Sequence, residues 1–258
     1  MKKWVKGWIN LLCCATLMVG QPTRAAGKDT PATEAEAKEI RGLVEELVFQ
    51  HERSGETPLI SPGIREDDDA EYKQQFEKCQ KAFDKLSTFK GKAFPILIEH
   101  LHDKRPSINF RNHSEEHAVG DACYWNLSLQ LQDTPDNYSS YGYSRAGRDG
   151  QQHPKPYWKS SPFEEAGGLE KWLKSNAALS YPEMQVKCLN WLLEEEKKIG
   201  APDAASYFEN ILPLEIRILE RKLEISPDAE LQKELERQRG VLKDKDASAV
   251  PAALLPGK

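Results

Sequence analysis

The sequence predicts an all-α fold, a helical bundle interrupted by one long aromatic-rich loop. Three observations carry this. Apolar residues recur at three- and four-residue steps through most of the chain, serine or serine–proline pairs mark helix starts, and strands and helices do not alternate as in a nucleotide-binding sheet. With 258 residues, 39% of them hydrophobic and 30% charged, the chain is long enough to bury a core and too mixed to be collagenous, membrane-embedded or wholly disordered.

The first element reads as an address. Lys2, Lys3 and Lys6 precede the apolar run Trp8 to Val19, and Thr23-Arg24-Ala25 sets small residues at the first and third positions of a cleavage triplet. That pattern is a secretory signal peptide over residues 1–26, cut after Ala25 or Ala26. Its apolar run is shorter than the roughly 20 residues of a membrane span, and no later run approaches that length. The expectation is an exported protein, periplasmic or extracellular, with no transmembrane segment in the mature chain. Cys13 and Cys14 lie inside the apolar run rather than at its end, which argues against a lipid anchor. The leader holds four of the 36 basic residues and no acidic one, so 32 remain against 41, a net charge of −9. Such a balance, with export, sets a nucleic-acid partner aside.

Residues 27–242 read as one helical domain. Ile40, Leu43, Val44, Leu47 and Val48 form the first apolar stripe, with Thr33 and Glu36 as a capping box. Residues 51–69, with Gly55, Pro58, Pro62, Gly63 and three consecutive aspartates, form a loop. Tyr72, Phe76, Cys79, Phe83 and Leu86 then step along a second helix, and Phe94 to Leu101 make a third with Pro95 near its start. A fourth, Ala118 to Leu131, is apolar nearly all round, so it is expected at the centre, where Asn126 and Ser128 would need hydrogen-bond partners.

Ser161-Pro162-Phe163-Glu164 and Ser180-Tyr181-Pro182-Glu183 mark two more starts, and Ser226-Pro227 a third. The helices expected from them run about Phe163 to Ser175, Pro182 to Ile199, Pro202 to Leu223 and Pro227 to Leu242. Pro213 should kink or divide the third of these. Residues 243–258, rich in Ala and Pro, show no period and read as a disordered tail. The three cysteines outside the leader, Cys79, Cys123 and Cys188, sit in apolar helical patterns and read as buried free thiols, with a single disulfide among them as the alternative.

The run "AFPILIEHLHDKRP" from Ala93, a basic residue at Arg111 and "VGDACYWNL" from Val119 resemble a HEAT-type helix pair, with a fainter echo in "ILPLEIRILERKL" from Ile211. The resemblance covers about residues 93–131. It implies stacked helix pairs and a binding surface, and no chemistry.

One motif points to chemistry. His113-Ser114-Glu115-Glu116-His117 fits the H-x-x-E-H pattern of the inverted zincins, which implies zinc held by His113 and His117, Glu116 as general base, and a third ligand on a distant helix, for which Glu194 is the candidate. The pattern needs both histidines on one helical face, which holds if Asn112 caps the helix and fails if Ser114 does. The plain alternative is a helix start whose glutamates face the positive end of the helix dipole.

The second informative stretch is the loop 132–161 between the two helical halves, long for a compact domain. Tyr138, Tyr141, Tyr143, Tyr157 and Trp158 interleave there with Arg145, Arg148, His153, Lys155 and Lys159, and Asp136 and Asp149 oppose them. Aromatic faces and cationic forks stack on sugars and hold carboxylates, so Tyr138, Tyr141, Tyr143, Arg145, Arg148, Tyr157 and Trp158 are the candidate binding residues. The competing reading is a folded-back plug over the helices. Asn112, Asn126 and Asn137 each open a glycosylation-type triplet. These observations together predict a non-enzymatic binding or scaffold protein for an exported protein, peptide or glycan, without cofactor, with a zinc hydrolase as the alternative.

Overall fold

The computed structural model describes residues 30–50, 69–108, 117–136, 138, 161–201 and 203–255, and the described chain is mostly helical. Its helices are α1 (Glu34–Glu46), α2 (Ala70–Thr88), α3 (Phe94–Glu99), α4 (Val119–Gln132), α5 (Pro162–Glu165), α6 (Leu169–Ser175), α7 (Tyr181–Ile199), α8 (Leu212–Ile225) and α9 (Ala229–Asp244). A two-residue antiparallel pair joins β1 (Pro106–Ser107) to β2 (His117–Ala118), and Ser107 also bridges to Val48 after α1. No helix among the described residues is long and apolar enough to cross a membrane.

Side chains within three residues of each start explain most helix beginnings. Thr33 and Glu36 form the expected capping box on α1, at 3.2 and 2.8 Å. Asp69, read above as loop, caps α2 by accepting from the Tyr72 N–H at 2.8 Å. Ser161 accepts from the Glu164 N–H on α5, and Glu183 accepts from the Ser180 N–H on α7 at 2.7 Å. The last helix departs from expectation. Asp228, not Ser226, accepts from the Leu231 N–H at 2.8 Å, so α9 starts at Ala229. A carboxylate carries full charge to the N-terminal dipole, where a hydroxyl carries none.

Two glycines and one proline divide what read as longer helices. Gly167 and Gly168 take φ of 79° and 119°, separating α5 from α6. Ahead of Pro213 the chain winds from the turn Ala204–Ser206 through a π-helical stretch, Tyr207–Ile211, in which the Leu212 N–H reaches back to the Tyr207 carbonyl. Pro213 has no N–H to give, and the widened turn clears the carbonyl its ring would strike.

The apolar residues form two cores. The first gathers α1 to α4 with Phe163, Leu169 and Trp172, and takes Met184 and Cys188 from α7. The second takes Leu189, Leu192 and Leu193 from α7 and adds α8, Leu235 of α9 and Val250. The two cores therefore divide inside α7. A small third cluster packs Tyr72, Phe76 and Cys79 against Ile108 and Phe49.

The polar residues of α4 find partners inside this packing. Asn126 donates to the Phe83 carbonyl at 2.9 Å and accepts from Gln130 at 2.7 Å. The Gln130 carbonyl accepts from Gln185 of α7 at 2.9 Å, and the Ser128 hydroxyl accepts from Gln132. Asn126 is fully buried, which removes it as a glycan acceptor in the folded protein.

The tail corrects the expectation of disorder as far as residue 255. Short 3-10 turns at Ala247–Ala249 and Ala252–Leu254 fold it back, Val250 enters the second core, and the Leu254 carbonyl accepts from the Ala201 N–H at 2.8 Å. Tertiary contacts order a segment that has no helical period of its own.

Gly120 sits where α4 meets the turn after α3, donating its N–H to the Asp103 carbonyl at 2.9 Å. A Cβ there would lie 2.5 Å from the Leu101 carbonyl oxygen and 2.9 Å from its carbon. Gly120→Ala must displace backbone, and the expected cost is about 1–3 kcal/mol. Urea denaturation should show a lower midpoint at unchanged slope. An unshifted midpoint would contradict the close approach.

Beside this turn Arg105 ties α1 to the β pair. It grips Asp103 through Nε at 3.0 Å and Nη2 at 2.6 Å, and Glu45 through Nη1 at 2.5 Å. Hydrogen bonding to Arg105 holds the Asp103 carboxyl at about 2, below its ordinary 3.8. The folded value lies below the unfolded one, so the contribution is complete above about pH 4 and is lost as pH falls from there toward 2. Asp103→Asn should flatten the acid limb of stability against pH across that window. A variant with the wild-type limb would refute this assignment.

Candidate binding site

α4 ends at Asp133, which takes a left-handed φ of 45° and donates its N–H to the Leu129 carbonyl at 3.1 Å. Its carboxylate is held in a fork by Arg221 of α8, through Nε at 2.6 Å and Nη2 at 2.9 Å. That hydrogen bonding keeps the Arg221 guanidinium above its ordinary pKa range. Arg221 also pairs with Glu224, and Arg217, one turn earlier, brings its Nε to 4.0 Å from the same Asp133. The chain leaves α4 pinned to α8.

Five residues on, Tyr138 is buried in the second core, and its hydroxyl donates to Oε1 of Glu196 at 2.5 Å. Glu196 lies on α7 and is fully buried. This corrects the placement of Tyr138 among ligand-facing residues. A buried carboxylate needs donors, and the phenol supplies one while its ring fills apolar space. The other candidates, Tyr141, Tyr143, Arg145, Arg148, Tyr157 and Trp158, lie outside the described residues. Description resumes at Ser161, whose cap on α5 delivers Phe163 into the first core.

The metal reading meets a different backbone from the one it requires. His113 and Glu116 lie outside the described residues, whereas His117 belongs to β2, paired with Ser107. α4 begins only at Val119, after Asp121 accepts from the Ala118 N–H at 2.9 Å and the Val119 N–H is taken by the Arg105 carbonyl at 2.8 Å. The cap position of that helix is Ala118, so His117 precedes the helix and the shared helical face the H-x-x-E-H pattern needs is not available to it. Glu194 is exposed on α7, two residues from buried Glu196 and so on a different face. Among the described residues no group of three or more His, Cys, Asp or Glu is placed to hold a metal ion.

Cys79, Cys123 and Cys188 are free and buried. Burial pushes the Cys79 thiol up to about 11 and the Cys123 thiol up to about 12, and raises Cys188 as well. They pack as neutral hydrophobes rather than act as thiolate nucleophiles.

Against the root at Asp133 lies a cleft of about 310 Å³ between α8 and α9, lined by Pro135, Pro213, Ile216, Arg217, Glu220, Arg239, Leu242 and Lys243. Glu220 meets Arg239 at 2.7 Å and Arg217 at 3.5 Å. Sequence reasoning missed this cleft and Glu196. The available signal was Arg217, Glu220 and Arg221 at three- and four-residue steps beside Pro213, but pairing with α9 and Asp133 is a long-range fact. A second cavity of about 290 Å³ lies between α1 and α2, bounded by Glu45, Glu46, Val48, Gln50, Gln75 and Lys78. Compared with protein-family models, curated proteins and solved structures, the chain matches none.

Tyr138→Phe keeps the ring and removes a donor from a buried carboxylate, for an expected loss of about 1–3 kcal/mol. Chemical denaturation of the purified variant measures it. A stability equal to wild type would show that the hydrogen bond does not anchor the segment.

Proposed function

We propose that the protein is an exported binding or scaffold protein without catalysis of its own, and that residues 139–160 hold its ligand, an exported protein, peptide or glycan. The observation that carries this reading is the fixing of both ends of that segment. Tyr138 is fastened to buried Glu196 on one side. Ser161 and Phe163 are fastened to α5 and the first core on the other. Between them run Tyr141, Tyr143, Arg145, Arg148, Tyr157 and Trp158, an aromatic and cationic stretch on an acidic protein. Anchored ends reduce the ordering cost a loop meets on binding, and aromatic side chains offer contact area at low entropic cost.

The leader pattern of residues 1–26 supports export. We also propose that residues 93–131 form a HEAT-like helix pair, a reading supported by the motif there together with the close approach of Gly120 in α4 to the turn that follows α3.

The test is Tyr141→Ala combined with Trp158→Ala in the purified protein, read on glycan and peptide arrays and by thermal melting. The expected result is loss of binding at an unchanged Tm. A large fall in Tm would show that these rings plug the helical surface instead, and would overturn the proposal.

A further inference from the structure

We infer that the cleft between α8 and α9 is a binding site for an apolar monocarboxylate, a compact aliphatic group that ends in one carboxylate. The described residues that line it all lie outside 139–160, and the inference does not depend on the function proposed for that segment.

The lining has two kinds of surface. Pro135, Pro213, Ile216 and Leu242 supply apolar contact, and Pro213 and Ile216 are themselves buried, so part of this surface is continuous with the second core. Among the described lining residues, Arg217, Arg239 and Lys243 supply three cations against the single carboxylate of Glu220. This excess of positive charge stands on a chain whose net charge is −5. A local field opposite in sign to the whole molecule concentrates anions at the cleft.

Glu220 itself shows the spacing. It receives Arg239 Nη2 at 2.7 Å and Arg217 Nη1 at 3.5 Å, so the two guanidinium groups already converge on one carboxylate. Each has further N–H donors, because a guanidinium carries five. Lys243 is exposed and makes no ion pair among the described residues, leaving its ammonium for an incoming anion. Arg221 does not compete for that anion, since Asp133 and Glu224 occupy it.

Size and charge narrow the ligand. A volume of about 310 Å³ is at the small end of ligand pockets and suits one side chain or a short acyl chain rather than an oligosaccharide. Glu220 repels the second charge of a phosphate dianion, whereas a monoanion is matched by Lys243 and the free guanidinium donors. The apolar lining adds affinity for an aliphatic body that acetate lacks. A free peptide C-terminus after an aliphatic residue and a medium-chain fatty acid share this chemistry.

The experiment is calorimetric titration of the full chain at low salt with N-acetyl-leucine, octanoate, N-acetyl-leucinamide and acetate. The expected result is saturable binding of N-acetyl-leucine or octanoate, at least about tenfold tighter than the neutral amide or acetate. The tighter of the two acids identifies the peptide or the fatty-acid source. Lys243→Gln, which removes no internal ion pair, should weaken binding about threefold without changing Tm. Lys243→Gln with Arg239→Gln should weaken it about tenfold or more. The inference is overturned if neither acid binds, if the amide or acetate binds as well as the acids, or if Lys243→Gln leaves the affinity unchanged.

Discussion

Everything in the fold is placed by one helix that serves two cores. α7 gives Met184 and Cys188 to the N-terminal core and, from the next residue onward, Leu189, Leu192 and Leu193 to the C-terminal one. Because successive residues turn by about 100°, such a helix works only if its register along the axis is fixed. Its N-terminus is set by Ser180 and Glu183. Its C-terminus is set by Gly200, at a φ of 78°, and by the returning tail that reaches Ala201. A slip of one residue would turn both apolar stripes out of their cores together.

Leucine-rich surfaces alone do not define such a register sharply, because neighbouring aliphatic positions are nearly interchangeable. Hydrogen bonds between buried groups do. Asn126, Gln130 and Gln185 link α2, α4 and α7 through bonds of 2.7 to 2.9 Å, with Tyr181 reaching the same Gln130 carbonyl at 3.3 Å. Each bond lost with its groups still buried costs about 1–3 kcal/mol, so the alternatives to the observed packing are separated from it in energy. The amides of α4 therefore define which helix lies against which.

Features that act within three or four residues were legible in the sequence. The Thr33–Glu36 and Ser180–Glu183 caps, the break at Pro213 and the central position of α4 all follow from local rules applied to short strings. What sequence could not supply were pairings across the chain. β1 captures His117 because Ser107 lies opposite it and the Arg105 carbonyl takes the Val119 N–H next to the pair, and no pattern within residues 113–117 reveals that. Tyr138 looks like its neighbours Tyr141 and Tyr143 until Glu196 appears beside it, 58 residues away in the chain. The tail shows no period, yet Val250 is buried, because its order comes from the surface it lands on. Ser226 and Asp228 both suit a helix start, and only the surrounding fold selects between them.

The cationic cleft follows from the same competition between local and distant partners. Arg217 and Arg221 stand one turn apart on α8, and both approach Asp133. The carboxylate is engaged in a fork by Arg221 at 2.6 and 2.9 Å, leaving Arg217 at 4.0 Å. Asp133 can take that position because it ends α4 in the left-handed conformation, which aspartate tolerates better than most residues. The shorter, two-point contact is the stronger, so Arg217 keeps a weaker partner in Glu220 and retains positive character toward the cleft. One residue at a helix end thereby joins α4 to α8 and leaves a second arginine to face α9. The stability of the junction and the charge of the cleft are two results of one geometric choice.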